Sequence, residues 1–319
     1  MAAVTESLNG RRCVVLGAAG FIGKNLCAAL VGAGARVVGV DLKPATALLP
    51  AVEWHAVRLE ASARLADLLE PNDILFHFAS STVPGSKHTP DADVADNLIP
   101  SLRLFEACVR AGVSRLVFLS SGGTVYGPDV EVPTPEDAPN DPISWYGVQK
   151  LSIEKYLAVY RRLHALDSIV LRIAKPFGPH QTNPKQGLVG SVVRHALAGT
   201  PVDIFGDGKA TRDYIYVADV VSAILQAASL KSPSAPFLYN IGSGIGRSVN
   251  DVVAAVQSVC DVEIRINRLP GRPVDVPTSV LDISRAAEHL AWCPTTAWED
   301  AIRSTYTWAK EQGQALIGR

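Results

Sequence analysis

Concentrated positive charge is missing from this 319-residue chain, whose 30 Lys and Arg face 31 Asp and Glu for a formal net charge of −1. Nucleic acid and polybasic membrane contact both need a basic face, so neither is an expected partner. Apolar runs stop well short of the ~20 residues that a membrane-spanning helix requires, and the expectation is a cytoplasmic protein. The five cysteines, Cys13, Cys27, Cys108, Cys260 and Cys293, form neither a CxxC pair nor a His-linked metal spacing. They read as buried free thiols in a reducing compartment. His77, His180 and His195 also lack ligand spacing, so no metal is expected. Fixed-period repeats and low-complexity segments are absent as well.

With 48% apolar residues the chain can bury a large core, either as one domain or as a domain with a substantial lobe. Strand-length apolar runs at 13–16, 37–40, 54–57, 74–78, 116–119 and 169–173 alternate with helical periodicity at 21–31, 61–69, 98–110 and 145–163. That alternation predicts an α/β fold with a doubly wound parallel sheet. After Pro176 the elements shorten and Pro and Gly separate them, which suggests a smaller lobe. The division expected is 1–175 for a dinucleotide-binding domain and 176–319 mainly for a substrate lobe. Segments 217–230 and 237–241 are a helix and a strand that return to the main sheet.

Gly17-Ala18-Ala19-Gly20-Phe21-Ile22-Gly23 follows the first apolar run and opens the first helix. Closely spaced glycines at such a junction let the backbone approach a diphosphate while helix N–H groups point at it. The next strand ends at Asp41, about 20 residues on, where a carboxylate accepts bonds from the adenosine ribose hydroxyls. Its charge repels a 2′-phosphate, so NAD is expected rather than NADP. Lys24 is followed by Asn25 instead of Ser or Thr, which excludes a triphosphate-binding loop.

Downstream, Tyr146 and Lys150 stand four residues apart and share one helix face. A phenol with a reference pKa of about 10 becomes a base only where positive charge favours the phenolate. A lysine beside it and a cationic nicotinamide ring both act in that direction. Ser120 and Ser121 lie at a strand end between the two motifs.

These marks, with His77-Phe78-Ala79, Asn97, the run Ser120-Ser121-Gly122-Gly123-Thr124-Val125-Tyr126-Gly127, Lys175-Pro176-Phe177-Gly178, Thr211-Arg212-Asp213-Tyr214, Arg272 and Asp275, carry a resemblance. Over nearly its whole length the chain resembles the extended short-chain dehydrogenase/reductases, within them the nucleotide-sugar epimerase/dehydratase group. The resemblance implies a Rossmann-type sheet with a smaller C-terminal substrate-binding lobe. It implies NAD held by Gly17, Gly20, Phe21, Ile22, Gly23, Asp41, Glu60 or its surroundings, Phe78, Ala79, Ser80, Ser120, Tyr146, Lys150 and Pro176. Tyr146 is then the acid/base and Lys150 holds the nicotinamide ribose. Arg212 and Arg272 suit a nucleotide diphosphate, and Asp275 suits sugar or ribose hydroxyls. Each of these arginines also suits a solvated surface charge or a partner for Asp213 or Asp275. Relatives pair as homodimers through a four-helix bundle, which here falls on 98–110 and 145–163.

Two departures from the family pattern stand out. The hydroxyl residue that assists the tyrosine aligns with Gly122, which leaves Thr124 or Ser121 to substitute, with Thr124 preferred. Lys175 replaces an Asn and either reaches a phosphate or marks an altered substrate. Gly123-Thr124 stands where dehydratases carry an Asp-Glu pair, so water elimination is disfavoured. Ser279 aligns with a position that limits the sugar's C2 substituent, and its small size leaves room for an N-acetyl group. The activity implied is C4 epimerisation of a nucleotide-linked hexose, either the UDP-glucose/UDP-galactose pair or its N-acetylated counterpart. A 4-ketoreductase or dehydrogenase is the alternative enzyme, and a non-catalytic dinucleotide sensor is the alternative of another class.

Overall fold

A computed structural model of the chain describes residues 2–83, 89–184, 186–232, 235–271 and 276–313. The chain begins with α1 (Ala2–Leu8), β1 (Arg12–Leu16), α2 (Phe21–Gly32), β2 (Arg36–Asp41), β3 (Glu53–Ala56), α3 (Ser62–Ala66), β4 (Ile74–His77) and α4 (Pro90–Asp93). A π-helical turn, Val94–Leu98, leads into α5 (Ile99–Ala111), followed by β5 (Arg115–Ser121), α6 (Trp145–His164) and β6 (Ser168–Ile173). Shorter elements follow: β7 (Lys175–Phe177), α7 (Leu188–Ala198), β8 (Val202–Phe205), β9 (Thr211–Tyr216), α8 (Val217–Ser229), β10 (Leu238–Ile241) and β11 (Gly246–Ser248). The last are α9 (Val249–Cys260), β12 (Ile266–Leu269), β13 (Thr278–Ser279), α10 (Ser284–Leu290) and α11 (Trp298–Gln312).

Among the described residues seven strands build one parallel sheet in the order β10-β6-β5-β4-β1-β2-β3. This is the Rossmann-type doubly wound sheet that the alternation predicts. Side chains alternate across each strand, so Cys13 and Val15 enter a core with Leu26, Leu30, Val220 and Ile224. Val14 and Leu16 enter the opposite core with Leu104, Phe105 and Leu157. Both faces are covered, which is why β1 reads as an unbroken apolar run. The chain order reverses between β1 and β4, and the loops leaving those two strands flank the crevice where open α/β sheets take ligands.

The later elements form a smaller lobe. Strand β9 pairs with β11 and β13 along its first half and with β7 along its second, while β8 and β12 make a separate parallel pair. Helices α7, α9 and α11 pack on a core that includes Phe177, Val192, Val252 and Ile302. As expected, α8 and β10 return to the main sheet.

The structure departs from the sequence expectation in two details. Helix α3 covers only Ser62–Ala66 rather than 61–69. Cys13, Cys27 and Cys108 are buried free thiols, but Cys260 is partly exposed and Cys293 is exposed, because Cys293 lies in the surface segment between α10 and α11. Burial pushes the Cys13 and Cys27 thiols up to about 12. Among the described residues there is no cluster that could hold a metal ion, and no helix long and apolar enough to cross a membrane.

Candidate functional site

Gly17 ends β1 with φ of +82°, and a Cβ there would lie 2.9 Å from the Ala79 nitrogen in the loop after β4. A Cβ on Gly23 would lie 2.1 Å from the Gly17 carbonyl oxygen, so only glycine lets α2 start this close to the strand. No side chain caps the N-terminus of α2, whose N-cap is Gly20. Its first N–H groups remain available to an anion. Asp41 at the end of β2 accepts from the Ala19 nitrogen at 3.0 Å, which ties the turn to the neighbouring strand.

A cavity of about 490 Å³ opens from this turn. Gly17, Gly20, Phe21, Ile22, Gly23, Phe78, Ser80, Ser120, Ser121, Tyr146, Lys150, Lys175, Pro176 and Arg212 line it, so one space joins most of the residues expected at the site. Asp41 and Ala79 support the turn instead of lining the cavity, and the structure does not bring Glu60 to it.

Helix α6 presents Tyr146 and Lys150 because Ser144 caps it, accepting from the Gly147 nitrogen at 3.1 Å. Gly147 packs so tightly on the preceding loop that a Cβ would lie 2.5 Å from the Thr124 carbonyl oxygen. The Lys150 ammonium donates to the Leu119 carbonyl at 2.9 Å and sits 5.7 Å from the Tyr146 ring centre. Burial pulls Lys150 down to about 8, against the raising influence of Glu154. Burial also pushes the Tyr146 phenol above its ordinary value. Without ligands desolvation governs the phenol, while the Lys150 ammonium stays beside its ring, held at the end of β5.

Behind the pair lies a buried polar network that the sequence reading missed. Arg172 on β6 pairs with Glu154 on α6 at 2.6 Å, and Ser120 donates to the same carboxylate. The Arg172 guanidinium lies 4.6 Å from the Tyr126 ring centre, and the Tyr126 hydroxyl donates to Asn240 on β10 at 2.7 Å. The signals were present, since Glu154 continues the Tyr146–Lys150 helix face and Arg172 interrupts an apolar strand. Asn97 has a positioning role as well. Its amide accepts from the Ser81 nitrogen at 2.7 Å and donates to the Ser81 hydroxyl at 2.8 Å, holding the loop after β4.

Thr124, Gly122, Gly123 and Ser279 line a second cavity of about 380 Å³. A side chain at Gly122 would require Leu281 to move, because a Cβ would lie 2.6 Å from Leu281 Cδ1. The Thr124 hydroxyl oxygen is buried without a hydrogen bond among the described residues. Lys175 and Arg212 border both cavities. Thr82 and Gln181 also line the first cavity, and no periodicity or motif marks them in the sequence; Tyr214, from the Thr211–Tyr214 run, lines it too. Arg272 and Asp275 lie outside the described residues.

The model of the NAD dependent epimerase/dehydratase family matches residues 13–242, from β1 through the return of β10. The chain belongs to that family. A UDP-glucose 4-epimerase of Mycolicibacterium smegmatis is 34% identical over 95% of this chain and 100% of its own length. The solved UDP-glucose 4-epimerase of Thermotoga maritima, with UDP-glucose, superposes with a TM-score of 0.87 at 34% identity, covering 94% of this chain and 99% of that one. A UDP-glucuronic acid 4-epimerase of Bacillus cereus, solved with UDP-glucuronic acid and NAD, reaches 0.83 at 27% identity with the same coverage, 94% and 99%. This epimerase/dehydratase member therefore has full-length relatives whose sugars differ in charge.

Proposed function

We propose that this chain inverts C4 of a nucleotide-linked hexose through a transient 4-keto sugar, with NAD as its cofactor. The observation that carries the reading is that the glycine turn, Tyr146 and Lys150 line one cavity. The turn and the bare N-terminus of α2 suit a diphosphate, Asp41 suits the adenosine ribose and excludes a 2′-phosphate, and Lys150 suits the nicotinamide ribose. Bound NAD supplies a reversible hydride acceptor and a positive ring. Tyr146 takes the O4 proton as the sugar is oxidised and returns it on reduction. Since burial raises this phenol, positive charge has to reach the site with the ligands before Tyr146 can act as a base. Thr124, whose hydroxyl has no partner among the described residues, assists at O4, and Ser121 on the first cavity is the nearby alternative.

Arg212 holds the nucleotide while the keto sugar turns, so that reduction occurs on the opposite face. The substrates proposed are UDP-glucose/UDP-galactose or the N-acetylated pair, with small Ser279 leaving space beside the sugar. The functional division stays as 1–175 for NAD and 176–319 mainly for the substrate. A homodimer is proposed through α5 and α6. It is supported by the exposed stripe Trp145, Val148, Tyr156, Val159 and Leu163, and a monomer in sedimentation at micromolar concentration counts against it.

The test is product analysis with UDP-, GDP-, CDP- and dTDP-sugars. A C4 epimer without net NADH change is expected, and stoichiometric cofactor consumption would favour the ketoreductase instead. Tyr146→Phe is expected to keep NAD binding and lose turnover. Wild-type turnover in that variant removes the phenol from the mechanism.

A further inference from the structure

Lys175 begins β7, where the chain leaves the main sheet after β6 and crosses to pair with β9 of the smaller lobe. Among the described residues, it and Arg212 are the two that line both the cavity of Tyr146 and the cavity of Thr124 and Ser279. The lysine lies against the glycine pair of the preceding loop, since a Cβ on Gly123 would come within 3.3 Å of its Cε and Nζ. Gly123 therefore leaves the space that the Lys175 side chain takes.

Among the described residues this charged group has no counter-ion. Among the described residues no ion pair or hydrogen bond engages the ammonium, and no Asp or Glu lines either cavity. Burial, and then the neighbouring Arg212 charge, hold Lys175 below the ordinary lysine value. Asp213, next to Arg212 in sequence, is turned away: its carboxylate accepts from Ser243, Gly244 and Leu281 nitrogens. A partly buried cation beside a second cation is costly unless an anion joins them.

We propose that Lys175 and Arg212 form a two-cation seat for an oxyanion of the substrate, either its diphosphate or a carboxylate on the sugar. The inference rests on the nucleotide-sugar reading and names the group that Lys175 recognises. A diphosphate gives Lys175 a share in holding the nucleotide. A carboxylate makes the chain a uronate enzyme, with specificity set at the passage between the cavities.

The two sources separate in a binding experiment. UDP, UDP-glucose and UDP-glucuronate are titrated calorimetrically into the NAD-loaded wild type, Lys175→Met and Lys175→Arg, with retained NAD binding and melting temperature as folding controls. Loss of a charge-assisted bond is expected to weaken binding about 10- to 100-fold in the Met variant, with the Arg variant within a few-fold of wild type. Equal weakening of all three ligands identifies the diphosphate. Weakening confined to UDP-glucuronate identifies a carboxylate. If Lys175→Met binds all three as tightly as wild type, or Lys175→Arg binds as poorly as Lys175→Met, the seat is overturned. A wild type that binds none of the three overturns the UDP-sugar reading on which the seat rests.

Discussion

Replacing Thr124 by Val should separate catalysis from stability, because the hydroxyl that it removes has no partner among the described residues. A buried unpaired hydroxyl costs about 1–3 kcal/mol, so an apolar group of the same shape leaves folding unharmed or favours it by up to that amount. In a chain of this length 1 kcal/mol moves the melting temperature by about 2 °C, and a rise of zero to a few degrees is expected. Turnover should move the other way. Removing one hydrogen-bond donor from developing charge lowers kcat by about 10²–10³. Thr124→Ser, which keeps the hydroxyl, should stay within a few-fold of wild type. Steady-state rates with NAD in excess and a thermal melt give both readouts from one preparation, with Ser121→Ala in parallel. An unchanged kcat in Thr124→Val refutes its catalytic role, and a loss confined to Ser121→Ala moves that role to Ser121. A melting temperature several degrees below wild type refutes the claim that the hydroxyl is unpartnered.

Two further outcomes follow from the network around α6. Glu154→Gln leaves Arg172, which is 1% exposed, without its counter-charge, and should cost about 3–5 kcal/mol in a denaturant melt. A change below about 1 kcal/mol means that the pair does not hold α6 to β6. Lys150 has a folded-state value near 8 against 10.5 for an ordinary lysine, so between those pH values the unfolded chain holds a proton that the folded cofactor-free chain has released. Stability from this group therefore rises with pH across that window, by about 3 kcal/mol at most. Melts of wild type and Lys150→Met from pH 7 to 11 should differ in slope there, and parallel curves would exclude the shift.

The chain's own order determined the turn at Gly17–Gly23, the strand-to-helix rhythm, and the shared face of Tyr146 and Lys150. Each of these depends on residues close in sequence, through backbone sterics and helix or strand period. The apolar run of β1 also announced a strand covered on both faces. Which polar groups meet was decided only by the tertiary structure, because partners such as Glu154 and Arg172, or Gly123 and Lys175, come from elements that topology brings together. The electrostatics of Tyr146 followed the same rule. Spacing alone placed Lys150 on the same face, whereas the burial that raises the phenol and the Leu119 carbonyl that holds the lysine come from the fold. Desolvation and hydrogen-bond competition depend on everything that surrounds a group, and a linear order does not contain those surroundings.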